Sequence, residues 1–182
     1  MSATMTKNAP APLLVTQRAL RREEEIAKRV LRHWHDAVPN DRIAHLVKDA
    51  TRAFLRALQT RLARRDVQLG HWTFLRILWE QDGLTKRELS VEAGVAEPTT
   101  FMALKVMEEL GYVRLEQRPD NRKNIYVFLT PRGRRLKSTL VPLAEEVNTI
   151  ALRGLAERDV DTVRRALLGM IDNLSQDPGA ER

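Results

Sequence analysis

The chain has 182 residues, with 31 basic side chains against 24 acidic ones, a formal charge of +7, and no cysteine. The missing thiols exclude disulfides, thiolate zinc sites, a cysteine nucleophile and thiol-based redox sensing. No apolar run reaches the roughly 18 residues of a membrane span, so no membrane association is expected.

At 43% apolar composition the chain can bury a core. Its opening, MSATMTKNAPAPLLV, lacks the pattern of a secretory signal, and a cytoplasmic location is expected. A basic balance at this length points to nucleic acid, with a solvated arginine-rich surface as the alternative.

Residues 1–17, rich in Ala, Pro and Thr, read as a tail. From Arg18 onward, Ile26, Val30, Leu31, Trp34 and Val38 step by three and four, a helix that Pro39 ends. Asp41 then reads as the N-cap of a long helix to about Arg65, carrying Ile43, Leu46, Val47, Ala50, Phe54, Leu58 and Leu62. A third helix over about His71 to Gln81 places Trp72, Leu75, Leu78 and Trp79 on its apolar face. His33 and His35 fall on different helix faces and His45 stands alone, so no metal site or cofactor is expected.

Thr85 opens a short helix with Glu88 three residues on, the spacing at which each side chain caps the other's backbone. Gly94 closes it. A second helix spans Glu97 to Leu110, with Pro98 in its first turn and Gly111 past its end. Its buried face is Thr100, Ala103, Leu104, Met107 and Leu110. Val113, Leu115 and Gln117 then precede a polar turn, Pro119-Asp120-Asn121-Arg122, and the β-rich run Ile125 to Leu129 returns. This hairpin is the one sheet expected. Thr130 caps a long helix in which Leu136, Leu140, Leu143, Val147, Ile150 and Leu155 recur. Asp159 starts the last helix, with Val160, Val163, Leu167, Met170 or Ile171, and Leu174 at similar spacing.

Two helices, a tight turn and a hairpin predict a mainly α fold, a winged helix-turn-helix. The second helix leaves Pro98, Thr99, Phe101, Met102 and Lys105 outward, on a face narrow enough for the major groove of DNA. Thr99 can bond a phosphate or base edge, Lys105 can neutralise phosphate, and Phe101 or Met102 can touch thymine methyls. Alternatively, Phe101 packs against the wing. Between Arg114 and Lys137 lie eight basic residues, including Arg118, Arg122 and Lys123, against Glu116 and Asp120 alone, giving +6 of the chain's +7. That bias suits phosphates beside a groove.

The run LTKRELSVEAGVAEPTTFMALKVMEELGYVRLEQRPDNRKNIYVFLTPRG carries L-T-x-x-E-L, then T-x-x-x-x-L-x-x-M-E-x-x-G, then L-T-x-x-G. In that order and spacing, it resembles the DNA-binding lobe of the MarR (multiple antibiotic resistance regulator) family. The motifs cover about residues 84–133, and the helix order extends the resemblance over about 41–175. Two positions depart from it: Asn121 stands where the wing usually has Asp, and Met102 where the recognition helix often has Arg.

The resemblance implies a homodimer whose outer helices interlock, binding a pseudo-palindromic operator on double-stranded DNA. Half-sites about 34–36 Å apart would match one helical turn. The implied layout is a tail over 1–17, dimerisation helices over 18–68, a DNA-binding lobe over 69–133, dimerisation helices over 134–175, and a tail over 176–182. The resemblance also implies a small aromatic acid effector between the dimer helices and that lobe. The candidates are Thr51, Arg52, Phe54, His71, Trp72, Arg76 and Trp79, since aromatic walls plus a cation suit a flat carboxylate. Both tryptophans have an alternative role as ordinary core.

The expected function is therefore a ligand-responsive repressor, of aromatic-compound catabolism or of efflux. A constitutive or architectural DNA-binding protein is the alternative. No Gly-rich phosphate loop, Gly-x-Ser-x-Gly elbow or H-E-x-x-H supports an enzyme.

Overall fold

A computed structural model describes residues 22, 25–26, 28–32, 43–119 and 121–177, with backbone alone at 121 and 122. The expected tail over 1–17, the helix stop at Pro39, the Asp41 cap, and Asp120, His33 and His35 lie outside the described residues. The chain forms two units, residues 1–50 and 51–182. In the first, the described residues are helical.

Helix α1 (Ile43–Ala63) runs across the boundary between the units and buries Leu58 and Leu62 near its end. Helix α2 (Leu69–Glu80) buries six of its twelve residues, His71, Trp72, Phe74, Leu75, Ile77 and Leu78. A helix apolar on so many sides belongs inside a core rather than at its edge. Next come strand β1 (Leu84–Thr85) and helix α3 (Lys86–Ala93). Thr85 Oγ1 accepts the Glu88 N–H at 3.2 Å, and Glu88 Oε2 accepts the Thr85 N–H at 2.7 Å. The reciprocal cap expected from the sequence is present.

Helix α4 (Glu97–Glu109) buries Thr100, Leu104 and Met107, the inward row of a 3.6-residue period. Gly111 ends it in the left-handed region, at φ 68°. There its N–H donates to Glu108 O, while the Tyr112 N–H donates to Met107 O, both at 2.8 Å. These are the two bonds of a glycine-terminated helix end.

Strands β2 (Val113–Arg118) and β3 (Asn121–Leu129) form the hairpin, and the sheet order is β1-β3-β2. Two sequence expectations are corrected here. The sheet has a third strand, since Leu84 pairs with Val127 and Thr85 with Tyr126. Strand β3 also begins at Asn121 rather than Ile125. Arg118 pairs with Asn121 while Gln117 pairs with Ile125, a register shift that places residues 122–124 in an irregular stretch of strand.

Thr130 Oγ1 accepts the Gly133 N–H at 3.0 Å and caps helix α5 (Pro131–Ala151). This helix ends four residues before Leu155, and helix α6 (Glu157–Ser175) begins two residues ahead of the expected Asp159. Among the described residues, no helix is long and apolar enough to cross a membrane. None of their histidine and carboxylate side chains gather in threes that could hold a metal ion.

Candidate nucleic-acid interface

The buried row of α4 fixes which side chains face out. Pro98, Thr99 and Lys105 are exposed, and Met102 is 62% exposed. Thr100 is the buried polar member, and its hydroxyl donates to Val95 O at 3.4 Å, tying α4 to the turn before it. Phe101 is neither simply outward nor packed only on the wing. Its half-buried ring has Lys105 Nζ 4.6 Å and Lys86 Nζ 5.1 Å from its centroid.

The hairpin divides its residues by register. Val113, Leu115, Val127 and Leu129 share the inward face, and Arg114, Glu116, Tyr126 and Phe128 the other. On that outer face the Arg114 guanidinium lies 4.6 Å from the Phe128 ring centroid, and that of Arg118 lies 4.0 Å from Tyr126. Aromatic faces thus hold the wing's cations. Lys123 is exposed; the Arg122 side chain lies outside the described residues.

The charge bias of residues 114–137 is smaller in space than along the chain. Arg114 pairs with Glu116. Two acids at and just past the end of α2 reach the same segment: Asp82 Oδ2 accepts from Arg134 at 2.6 Å, and Glu80 lies 3.5 Å from Lys137. Asp82 Oδ1 also accepts the Leu129 N–H at 2.8 Å. Arg134 and Lys137 therefore clasp α5 to α2. Sequence reasoning missed Asp82, whose partners are 47 and 52 residues away.

Another overlooked residue is Glu108. Its Oε1 accepts the Leu115 N–H at 2.8 Å, covering a donor on edge strand β2 and linking α4 to the wing.

The candidate effector residues are spread over several surfaces. His71 and Trp72 are buried, Trp79 is half-buried, and Arg76 is exposed. The two tryptophan rings meet edge to face at 5.7 Å, and Trp79 Nε1 donates to Gly133 O at 3.0 Å. The His71 ring meets Tyr112 edge to face at 6.3 Å, and its buried Nδ1 has no hydrogen-bond partner. His71 and Arg76 are five residues apart, roughly 140° around the helix. Thr51, Arg52 and Phe54 lie on the exposed surface of α1.

Burial pushes the His71 imidazole below its ordinary value, because desolvation disfavours the imidazolium. The unfolded chain takes up this proton near about pH 6.5, the folded chain only at lower pH. The contribution of neutral His71 to stability is thus complete above that value and lost as pH falls through the folded-state pKa. Glu88, bonded to Thr85, and Glu146, bonded to Arg61, are held below the usual carboxylate range and lose their contributions in more acidic solution. Urea midpoints should therefore fall as pH drops below about 6.5, and His71→Gln should flatten that part of the curve. Parallel curves for the two proteins would mean that His71 titrates alike in the folded and unfolded chains.

The family model for the MarR family matches residues 67–125, from the start of α2 into β3. The HTH-type transcriptional regulator TtmR of Methylorubrum extorquens is 33% identical over 137 residues, covering 75% of this chain. The chain spans 65% of TtmR's length. A MarR-family regulator from Listeria monocytogenes, solved with a 26mer DNA, superposes with a TM-score of 0.68 at 23% identity, covering 75% of this chain and 91% of its own. NadR, solved with 4-hydroxyphenylacetate, gives 0.61 at 17% identity, covering 74% and 95%. The helix order, the capped start of α3 and the wing agree with these matches: residues 67–125 form a MarR-family domain, and the chain has the winged helix-turn-helix fold of these structures.

Proposed function

We propose that the protein is a transcriptional repressor that binds double-stranded DNA as a homodimer and is released by a small aromatic carboxylate. The observation that carries the DNA reading is the outward row of α4, Thr99, Met102 and Lys105, flanked by the cations of the wing. The row would enter the major groove, while Arg118, Arg122 and Lys123 would meet the flanking minor groove and its phosphates. The DNA complex of the Listeria relative supports this assignment.

The dimer is supported by α6, none of whose residues is buried within one chain. Val163, Leu168, Ile171 and Leu174 are 54–67% exposed, an apolar face that a second copy would cover.

The effector reading rests on the unpartnered Nδ1 of buried His71 within the tryptophan-bearing helix α2, and on NadR's bound 4-hydroxyphenylacetate. A cation must offset the desolvation of the carboxylate, the role proposed for Arg76, with Thr51, Arg52 and Phe54 completing the surround. Against it stands the commitment of Trp79 to the α5 backbone, which favours a ligand-free DNA-binding protein.

Duplex binding measured against salt tests the first reading. Affinity should fall steeply, and Arg122→Ala should lower the log–log slope by about one per protomer, or about two for the dimer. An unchanged slope would mean that Arg122 is merely solvated. Calorimetry with benzoate-like and pyridine-carboxylate acids, repeated on His71→Ala and Arg76→Ala, tests the second. Binding that survives both substitutions would place the pocket elsewhere; no binding by any acid would leave the ligand-free reading.

A further inference from the structure

We infer that Phe101 is a positioning residue that gathers Lys86 and Lys105 into one phosphate-binding site at the seam between α3 and α4. The inference rests on the DNA-binding reading above and adds to it a residue, Lys86, and a mechanism. Phe101 and Lys105 are i and i+4 on α4, so they share one face of the helix. Lys86 arrives from the other helix, as the first residue of α3.

Both ammonium groups lie within 5.1 Å of the same ring centroid. Two like charges on long, strongly hydrated side chains would otherwise extend apart into water. The negative faces of the ring offset that tendency. A carboxylate steadies Lys86 from one side, since Glu97 Oε2 is 3.8 Å from its Nζ. Among the described residues, no carboxylate pairs with Lys105, which leaves its charge available to an anion.

The phenyl ring has no donor or acceptor, so it cannot read the polar edges of bases. It is half-buried, while its neighbour Met102 stands out at 62% exposure. Met102 is thus better placed to touch a thymine methyl, and Phe101 acts on DNA through the two lysines. The occupant is the DNA backbone phosphate, because two ammonium groups held within 5.1 Å of one ring supply charge without a code for sequence.

The test compares wild type, Phe101→Leu, Phe101→Tyr, Lys86→Ala, and Lys86→Ala/Lys105→Ala with and without Phe101→Leu. In the free protein, the ε-methylene protons of Lys86 and Lys105 should show upfield ring-current shifts that Phe101→Leu removes and Phe101→Tyr keeps. On duplex DNA, Lys86→Ala should lower the salt slope by about one per protomer, and Phe101→Leu should lower it by up to about two per protomer. Phe101→Tyr should restore it, and Phe101→Leu should do nothing further once both lysines are gone.

Weaker binding by Phe101→Leu with an unchanged slope would make the ring a direct base contact and overturn the inference alone. The inference also fails, again without touching the DNA reading, if Phe101→Leu is equally harmful once the lysines are gone. A wild-type protein that binds no duplex at any salt concentration would sink the DNA reading and this inference together.

Discussion

Met107→Ala should lower stability by roughly 2–5 kcal/mol, whereas Lys105→Ala should leave the melting temperature nearly unchanged and weaken duplex binding. The residues are two apart on α4, so about 200° of helix separates a core position from a solvent one. Met107 has no exposed surface and packs in the same inward row as Thr100 and Leu104. Truncating it removes buried methylenes and leaves a cavity that the surrounding side chains fill only in part. Its carbonyl would still accept the Tyr112 N–H, so the helix end would survive and the loss would come from packing. A loss in the middle of that range corresponds to a fall of about 10 °C in melting temperature for a chain of this length. Lys105 has its stem and ammonium group on the outer side, and its removal leaves the core intact. Thermal melts and a salt-controlled binding titration on both variants check the pair together. The reverse pattern would mean that α4 presents its other face to the core.

What the sequence made legible was mostly local. The Thr85–Glu88 cap, the glycine ends at Gly94 and Gly111, and the Thr130 cap each involve residues within one or two turns, so their spacing carries the signal. The phase of α4 was equally readable, because the 3.6-residue period is written in its own residues. Strand β1 was not. Two residues show no alternation, and Leu84–Thr85 is a strand only because Val127 and Tyr126 lie alongside. The early start of β3 was hidden in the same way. Its first four residues are polar, and Asn121 and Arg122 read as the end of a turn, yet Asn121 already pairs with Arg118.

Long-range electrostatics escaped for a related reason. A count along residues 114–137 cannot see Glu80 and Asp82, which the fold brings to Lys137 and Arg134. The candidate interface was therefore legible where helical phase decided it, at Thr99, Met102 and Lys105. It was not legible where a partner from another element decides it, as for Phe101 beneath Lys86. The apolar stripe of α6 was visible in the sequence too, and it remains uncovered within one chain.

Gly133→Ala should destabilise the protein by about 2 kcal/mol or more, against the direction that helix propensity predicts. Gly133 lies in the first turn of α5 with ordinary helical backbone, so alanine gains about 1 kcal/mol in intrinsic preference. The opposing effect is steric. A Cβ at this position would sit 2.0 Å from the Tyr112 carbonyl oxygen and 3.2 Å from Leu129 Cδ2. Leu129 can adjust its rotamer, but the Tyr112 oxygen is backbone and already accepts from Thr130 N at 3.0 Å and Thr130 Oγ1 at 3.2 Å. Relieving the overlap means moving α5 away from Tyr112, which also strains the 3.0 Å bond from Trp79 Nε1 to Gly133 O. Forced overpacking typically costs about 1–3 kcal/mol and more where backbone must shift, enough to outweigh the propensity gain. Gly70→Ala is the control, because a Cβ there meets nothing within 4 Å. Urea unfolding of the two variants separates the effects. Gly70→Ala should hold or raise the midpoint while Gly133→Ala lowers it, and a Gly133→Ala protein as stable as wild type would mean that α5 and Tyr112 stand farther apart than this packing requires.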